Sequence, residues 1–280
     1  MKRFAKSIVK PIFVKMESQS ELLESEEKFI QENSLNCRLF IHPKADLSQI
    51  VIIDENHTIR LIQEKPSEDF FKGKAGILNL RFLKTYLIVT PERASLLPLE
   101  LYEEENDISV DLLNEEDASN LHTSIIDKQK CIIRFSPHED QRFWLSILKS
   151  VQLIPSSKIM INHLTDMKVK YKTVMGLNFY KDRFEVVLIE DNKLAFYSQF
   201  HCSTPDEFNF FLLTLFDKLD LTPALTQFYL WGDIVDGDEN YRRLSKYSQN
   251  LSFPGHKNLN LIGQREFSNL NFLIEAIECE

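Results

Sequence analysis

The chain has 280 residues, 43% of them hydrophobic and 27% charged, with a formal net charge of −9. That is enough apolar material for one large domain or two small ones, which excludes a wholly disordered chain, and its acidity argues against a global electrostatic grip on nucleic acid. Only seven residues are glycine, about a third of the usual ~7%, so there is little of the residue that lets a backbone close on a phosphate.

Met1 to Met16 carries Lys2, Arg3, Lys6, Lys10 and Lys15 and no acid. Lysines break its apolar stretch, so it lacks the core of a signal peptide. Ser18 to Asn33 then turns acidic, and residues 1–34 read as a loosely ordered N-terminal extension. Cys37 to Ile41, Ile50 to Ile53 and Thr58 to Gln63 are three strands separated by turn residues. Ser67 to Phe82 is ambiguous and reads as helical around Gly73 and Gly76, Tyr86 to Val89 is a buried strand ended by Pro91, and Pro98 opens an acidic helical segment. Lys130 to Phe135 is a strand. Ser136, Pro137 and Glu139 have the spacing of a helix N-cap, first position and capping glutamate, ahead of Phe143, Trp144, Ile147, Leu148 and Val151. After Pro155, Lys158 to Leu164 reads as a strand.

The second half has the same rhythm. Val174 to Phe179, Phe184 to Ile189 and Leu194 to Phe200 are strands joined by the turns Lys181–Arg183 and Glu190–Lys193. Thr204, Pro205 and Glu207 start a helix that carries Phe208, Phe211, Leu212, Leu215, Phe216 and Leu219 on its apolar positions, with Phe210 pointing away. Gln227 to Leu230 is a strand, Glu239 to Gln249 a helix, Leu251 to Phe253 and Leu259 to Ile262 short strands, and Asn269 to Cys279 a final helix. No run of about 18 apolar residues occurs, so no membrane insertion is expected. Cys37, Cys131, Cys202 and Cys279 are scattered without a C-x-x-C pair, which suits a reduced, cytoplasmic chain.

The halves align without a gap. Residues 37–56 (CRLFIHPKADLSQIVIIDEN) lie over residues 173–192 (TVMGLNFYKDRFEVVLIEDN), so that Asp46 meets Asp182, Val51 meets Val187, Ile53 meets Ile189 and Asn56 meets Asn192. Gln63 falls on Gln199 in the same register. Two strand–turn–strand–turn–strand units, each followed by alternating helix and strand, indicate an internal duplication.

Met175 to Phe179, Trp231-Gly232-Asp233-Ile234, Tyr247 and Phe253, together with Leu96 to Glu105 in the first half, carry a resemblance to a family of uncharacterised bacterial proteins with an actin-like ATPase fold. It covers roughly residues 37–255. The resemblance implies an α/β chain of two duplicated ribonuclease-H-like βββαβαβ lobes, at residues 35–165 and 166–280 after the extension. In that architecture a nucleotide lies in the cleft between lobes, and the family has no assigned reaction.

The same architecture specifies what an ATP site needs: backbone N–H groups of two glycine-bearing hairpin turns around the phosphates, an Asp aiding magnesium, and a later Gly-Gly segment at the adenosine. Here the first turn, His42 to Leu47, has no glycine and contains Pro43, which has no N–H. The second, Phe179 to Phe184, has none either, and the adenosine segment, Leu230 to Ile234, keeps one. The nucleotide-cleft candidates are therefore Lys181, Asp182, Arg183, Gly232 and Asp233, and the expectation is no cofactor, with ATP and magnesium as the alternative. No P-loop, nucleophile elbow or dinucleotide fingerprint occurs. Asp233, Asp236 and Asp238 are oxygen donors in a loop without an EF-hand's twelfth-position Glu. The chain has 21 Phe against 8 Tyr and 2 Trp, and Phe210 is the natural anchor for a protein partner. The sequence thus reads as a catalytically degenerate protein-binding module, with an active ATPase as the alternative.

Overall fold

The computed structural model describes residues 28, 30–44, 47–70, 77–101, 121–148, 150–167, 171–254 and 271–278. The first strands are β1 (Arg38–Pro43), β2 (Ser48–Ile53), β3 (Ile59–Lys65) and β4 (Lys84–Val89). A small antiparallel sheet follows, of β5 (Pro91–Pro98), β6 (His122–Ile126) and β7 (Cys131–Pro137), then helix α1 (Glu139–Ile147), strand β8 (Val151–Pro155) and helix α2 (Ser156–Asp166). The remainder is β9 (Thr173–Tyr180), β10 (Arg183–Glu190), β11 (Lys193–His201), α3 (Pro205–Lys218), β12 (Thr226–Gly232), α4 (Glu239–Ser245), β13 (Leu251–Ser252) and α5 (Asn271–Glu278).

The two large sheets have the same plan. Their orders are β3-β2-β1-β4-β8 and β11-β10-β9-β12-β13. In each, the first three strands are antiparallel and the last two run parallel to the central one. Even the irregularity repeats: the pairing slips between Ile52 and Ile53 in one sheet and between Leu188 and Ile189 in the other, positions the sequence alignment superimposes. The α/β class and the duplicated lobes of an actin-like ATPase fold are thus the observed architecture. The second half follows βββαβαβ throughout, whereas in the first the described residues between β3 and β4 form short 3-10 turns, Ser67–Phe70 and Ile77–Asn79, and the three-stranded sheet and α1 are inserted before β8.

Alternation sorts the second sheet into two cores. Met175, Leu177, Phe179, Phe184, Val186 and Leu188 pack under Phe208, Leu212, Leu215 and Phe216 of α3. Val174, Val187, Ile189 and Trp231 face the other way and join the first half's core through Ile159, Met160, Ile161 and Leu164 of α2. The last helix crosses back: Phe272, Leu273 and Ala276 of α5 are buried in that same core, against β1, β4 and α2.

Several local readings change. Ser136 and Pro137 belong to β7, paired with β5 as far as Pro91, so α1 is capped by His138, whose Nδ1 accepts from the Asp140 N–H. Pro91 opens β5 rather than ending a strand, and α1 stops before Val151, which begins β8. Residues 158–164 are helical, within α2. The helix at Glu239 ends at Ser245. Asp46, Gly73, Gly76 and the strand expected at 259–262 lie outside the described residues.

Candidate functional site

The turn between β9 and β10 is the place where the sequence puts a phosphate contact. Lys181 takes a left-handed conformation there, φ 50°, which closes a two-residue hairpin. Its backbone N–H points to Asp233 Oδ2 at 3.5 Å, and the Asp233 N–H donates to the Phe179 carbonyl at 2.8 Å. Gly232 stands directly opposite Phe179 in the parallel pairing. At φ 81°, a Cβ on Gly232 would lie 1.9 Å from the Phe179 carbonyl oxygen and 2.6 Å from Asn178 Oδ1, so the glycine is required by the strand contact itself. Lys181, Gly232 and Asp233 are therefore brought together.

Asp182 and Arg183 turn elsewhere. Asp182 Oδ2 meets His201 Nε2 at 2.7 Å, and its Oδ1 lies 3.6 Å from Arg183 Nε. Burial works against its charge, but His201 and Arg183 outweigh that and hold the carboxyl below its ordinary value. Arg183 Nη1 donates to the Glu92 carbonyl of β5 at 3.4 Å, and Lys181 Nζ is ion-paired with Asp140 of α1. Both cations of the turn thus reach across to the inserted sheet and α1. Asp140 also sits 3.2 Å from His138 Nδ1, and the His138 ring meets Tyr180 edge-on at 5.4 Å. Burial, then Arg183, pushes His138 down, while burial, then Asp140 and Asp233, pushes the Tyr180 phenol up.

Behind the turn lies a group the sequence reading passed over. Glu185, in the middle of β10, is 0% exposed. Its Oε2 accepts from Ser156 Oγ and from Asn178 Nδ2 (2.7 Å), and its Oε1 from Tyr197 OH (3.0 Å) and Gln199 Nε2 (3.5 Å). Gln199 also donates to the Pro91 carbonyl at 2.9 Å. Burial raises the Glu185 pKa against the pull of these four donors, and Tyr197 is pushed up by burial and by the Glu185 charge. The signal was present in the sequence: one charge inside Phe184 to Ile189, on the face opposite Phe184 and Val186.

The corresponding place in the first sheet holds His42 and Gln49, which face each other across β1 and β2 as Asn178 and Glu185 do across β9 and β10. Gln49 is fully buried and donates to Glu64 Oε2. Burial, with help from Lys44, takes His42 down to about 3, so its imidazole is neutral.

The acidic loop after Asp233 is committed to structure: Asp238 caps α4, accepting from Tyr241 N–H at 2.7 Å and from Val235 N–H at 3.2 Å. Among the described residues no group of three or more His, Cys, Asp or Glu could hold a metal ion. No helix among them is long and apolar enough to cross a membrane.

Comparison with known proteins bears on the fold. A Bacteroides thetaiotaomicron protein with an actin-like ATPase fold and unknown function superimposes with a TM-score of 0.72 at 17% identity, covering 89% of this chain and 98% of its own. A PilM–PilN type IV pilus biogenesis complex gives 0.45 at 10% identity, covering 78% and 88%. The ethanolamine utilization protein EutJ from Carboxydothermus hydrogenoformans gives 0.41 at 9%, covering 87% and 96%. No curated protein matches the sequence. The model of the family described as "Protein of unknown function (DUF3822)" matches residues 26–251, and the chain belongs to that family.

Proposed function

We propose that the protein is a non-catalytic, or catalytically degenerate, member of the actin-like fold that works in the cytoplasm by binding another protein. The observation that carries this reading is the occupation of the second hairpin turn. Its two cations are engaged within the chain, Lys181 by Asp140 and Arg183 by the Glu92 carbonyl. Asp140 and Asp233 flank Lys181, where a triphosphate would bring about four further negative charges. The outer face of α3 supplies an anchor for a partner: Phe210 is 64% exposed and Leu213 43%, and a buried aromatic is the usual centre of an interface.

The convergence of Lys181, Gly232 and Asp233 favours a second reading, a nucleotide-binding ATPase with an atypical phosphate site that takes ATP with magnesium. One measurement separates the two. A ligand at 100 times its Kd adds about 2.7 kcal/mol of stability. Millimolar MgATP is expected to leave the melting temperature unchanged. A clear upward shift overturns the binding-module reading and makes Lys181, Asp182, Arg183, Gly232 and Asp233 the first residues to change.

A further inference from the structure

The duplication supplies a control for the second hairpin turn. The first hairpin closes in the same register: the Lys44 N–H donates to the Leu47 carbonyl at 3.0 Å, where the second pairs Tyr180 with Arg183. Lys181 and Arg183 align with Ala45 and Leu47, so the hairpin forms without a cation at either place. The two cations both reach across the seam to the inserted sheet and α1, and they are satisfied unequally. Lys181 has a carboxylate, that of Asp140. Arg183 has the neutral carbonyl of Glu92 at 3.4 Å, and its Nε is buried without a hydrogen-bond partner among the described residues. Asp182 Oδ1 stands 3.6 Å from that Nε, beyond hydrogen-bond reach, while its other oxygen holds His201 at 2.7 Å. A guanidinium keeps its charge throughout. One that is only 16% exposed and faces a carbonyl is short of an anion.

The grip of Asp140 on Lys181 is of a kind that exchanges. The two side chains are 43% and 34% exposed, and an ion pair that open to water adds little stability. Asp140 is not stranded when Lys181 leaves. It lies in the first turn of α1, where the helix dipole favours a negative charge, and the cap of that helix uses its backbone N–H rather than its carboxylate.

We propose that Asp140 is an internal competitor for a small phosphate-type anion at this turn, so that the anion and α1 hold Lys181 alternately. The inference rests on the reading above that the turn is occupied from within the chain, and it adds the ligand that α1 displaces. The ligand is a small anion rather than an acidic protein segment, because the cation it has to satisfy, Arg183, is mostly buried. It carries more than one negative charge, since it bridges Lys181 and Arg183; pyrophosphate and the terminal phosphates of a nucleotide share that chemistry. Asp182 and Asp233 stay beside the turn in either state and keep the affinity modest. When the anion takes Lys181, α1 loses its ion pair to the second sheet. Anion occupancy and this contact across the seam therefore oppose each other.

The test uses the full chain and sodium pyrophosphate, with sodium chloride at equal ionic strength as the blank. At about 5 mM pyrophosphate the melting temperature of the wild-type protein is expected to stay unchanged, and that of Asp140→Ala to rise by about 2–4 °C, as for a ligand near ten times its Kd. Asp140→Asn, which keeps the shape of the side chain, is expected to show the same rise and serves where the alanine variant does not fold. Asp140→Ala combined with Lys181→Gln is expected to lose it. MgATP in place of pyrophosphate tells the sources apart: a rise with both marks the phosphates of a nucleotide, a rise with pyrophosphate alone marks a free anion, and each supports the proposal. No rise in either Asp140 variant overturns it, as does an equal rise in the wild-type protein or a rise that survives the loss of Lys181. Failure in the variants leaves the binding-module reading standing, whereas that reading fails on a rise with MgATP in the wild-type protein.

Discussion

Phe208 and Phe210 are two residues apart on one helix and have opposite fates, 0% and 64% exposed. Phe208→Ala is expected to cost about 3–5 kcal/mol, as loss of a packed ring leaves a cavity. Phe210→Ala should stay within about 0.5 kcal/mol of wild type, and a pair of denaturant melts checks both. Spacing alone made this contrast legible. Glu185 was passed over although its signal was there, because a strand reading counts apolar residues and sets a single acid among them aside. Its effect on stability has a definite sign. The folded pKa is raised above the ordinary glutamate value, so the native state holds the extra proton and stability falls as pH climbs through the folded pKa. Calorimetry at a series of pH values should show that fall in the wild type and a flatter profile in Glu185→Gln. Gly232→Ala should lose more than about 1 kcal/mol, since alanine cannot take the positive φ without strain and its Cβ would strike the Phe179 carbonyl.

The helix α3 announces itself because its start is written in local chemistry. Thr204 Oγ1 accepts from the Glu207 N–H at 3.2 Å, and Glu207 Oε2 accepts from the Thr204 and Ser203 N–H groups at 3.1 and 2.7 Å. Thr204→Ala should therefore cost about 1 kcal/mol, read as a lower melting temperature with an unchanged circular dichroism spectrum. The helix α2 hides for the opposite reason. It is wedged between both sheets, so Ile159, Met160, Ile161 and Leu164 are buried on more than one side, and a helix buried all round loses the polar stripe that betrays its period. Its β-branched isoleucines then read as strand. Strand β5 hides behind its prolines, which sit at its two ends and mark an outer strand of the small sheet. The apparent capping box at Ser136 fails because β7 pairs with β5 through that very residue, and a long-range pairing outweighs a local cap.

The duplication was readable at the scale of the molecule because strands and turns repeat in register, down to a shared slip in pairing. The sharing of helices between the halves was not, since nothing in the sequence of α2 or α5 names the sheet it will cover. That sharing argues that the halves are not independent folding units. Residues 35–165 lack α5, residues 166–280 lack α2, and each fragment alone is expected to show exposed apolar surface and no cooperative melt, whereas the full chain melts in one transition. The return of α5 has a further consequence in time. The face of β1 and β4 that Phe272, Leu273 and Ala276 cover is synthesised roughly 180 residues before its cover, which at 5–20 residues per second leaves it bare for about 10–40 s. Ribosome-bound chains that end before residue 271 are therefore expected to bind an apolar-surface dye that the full chain does not.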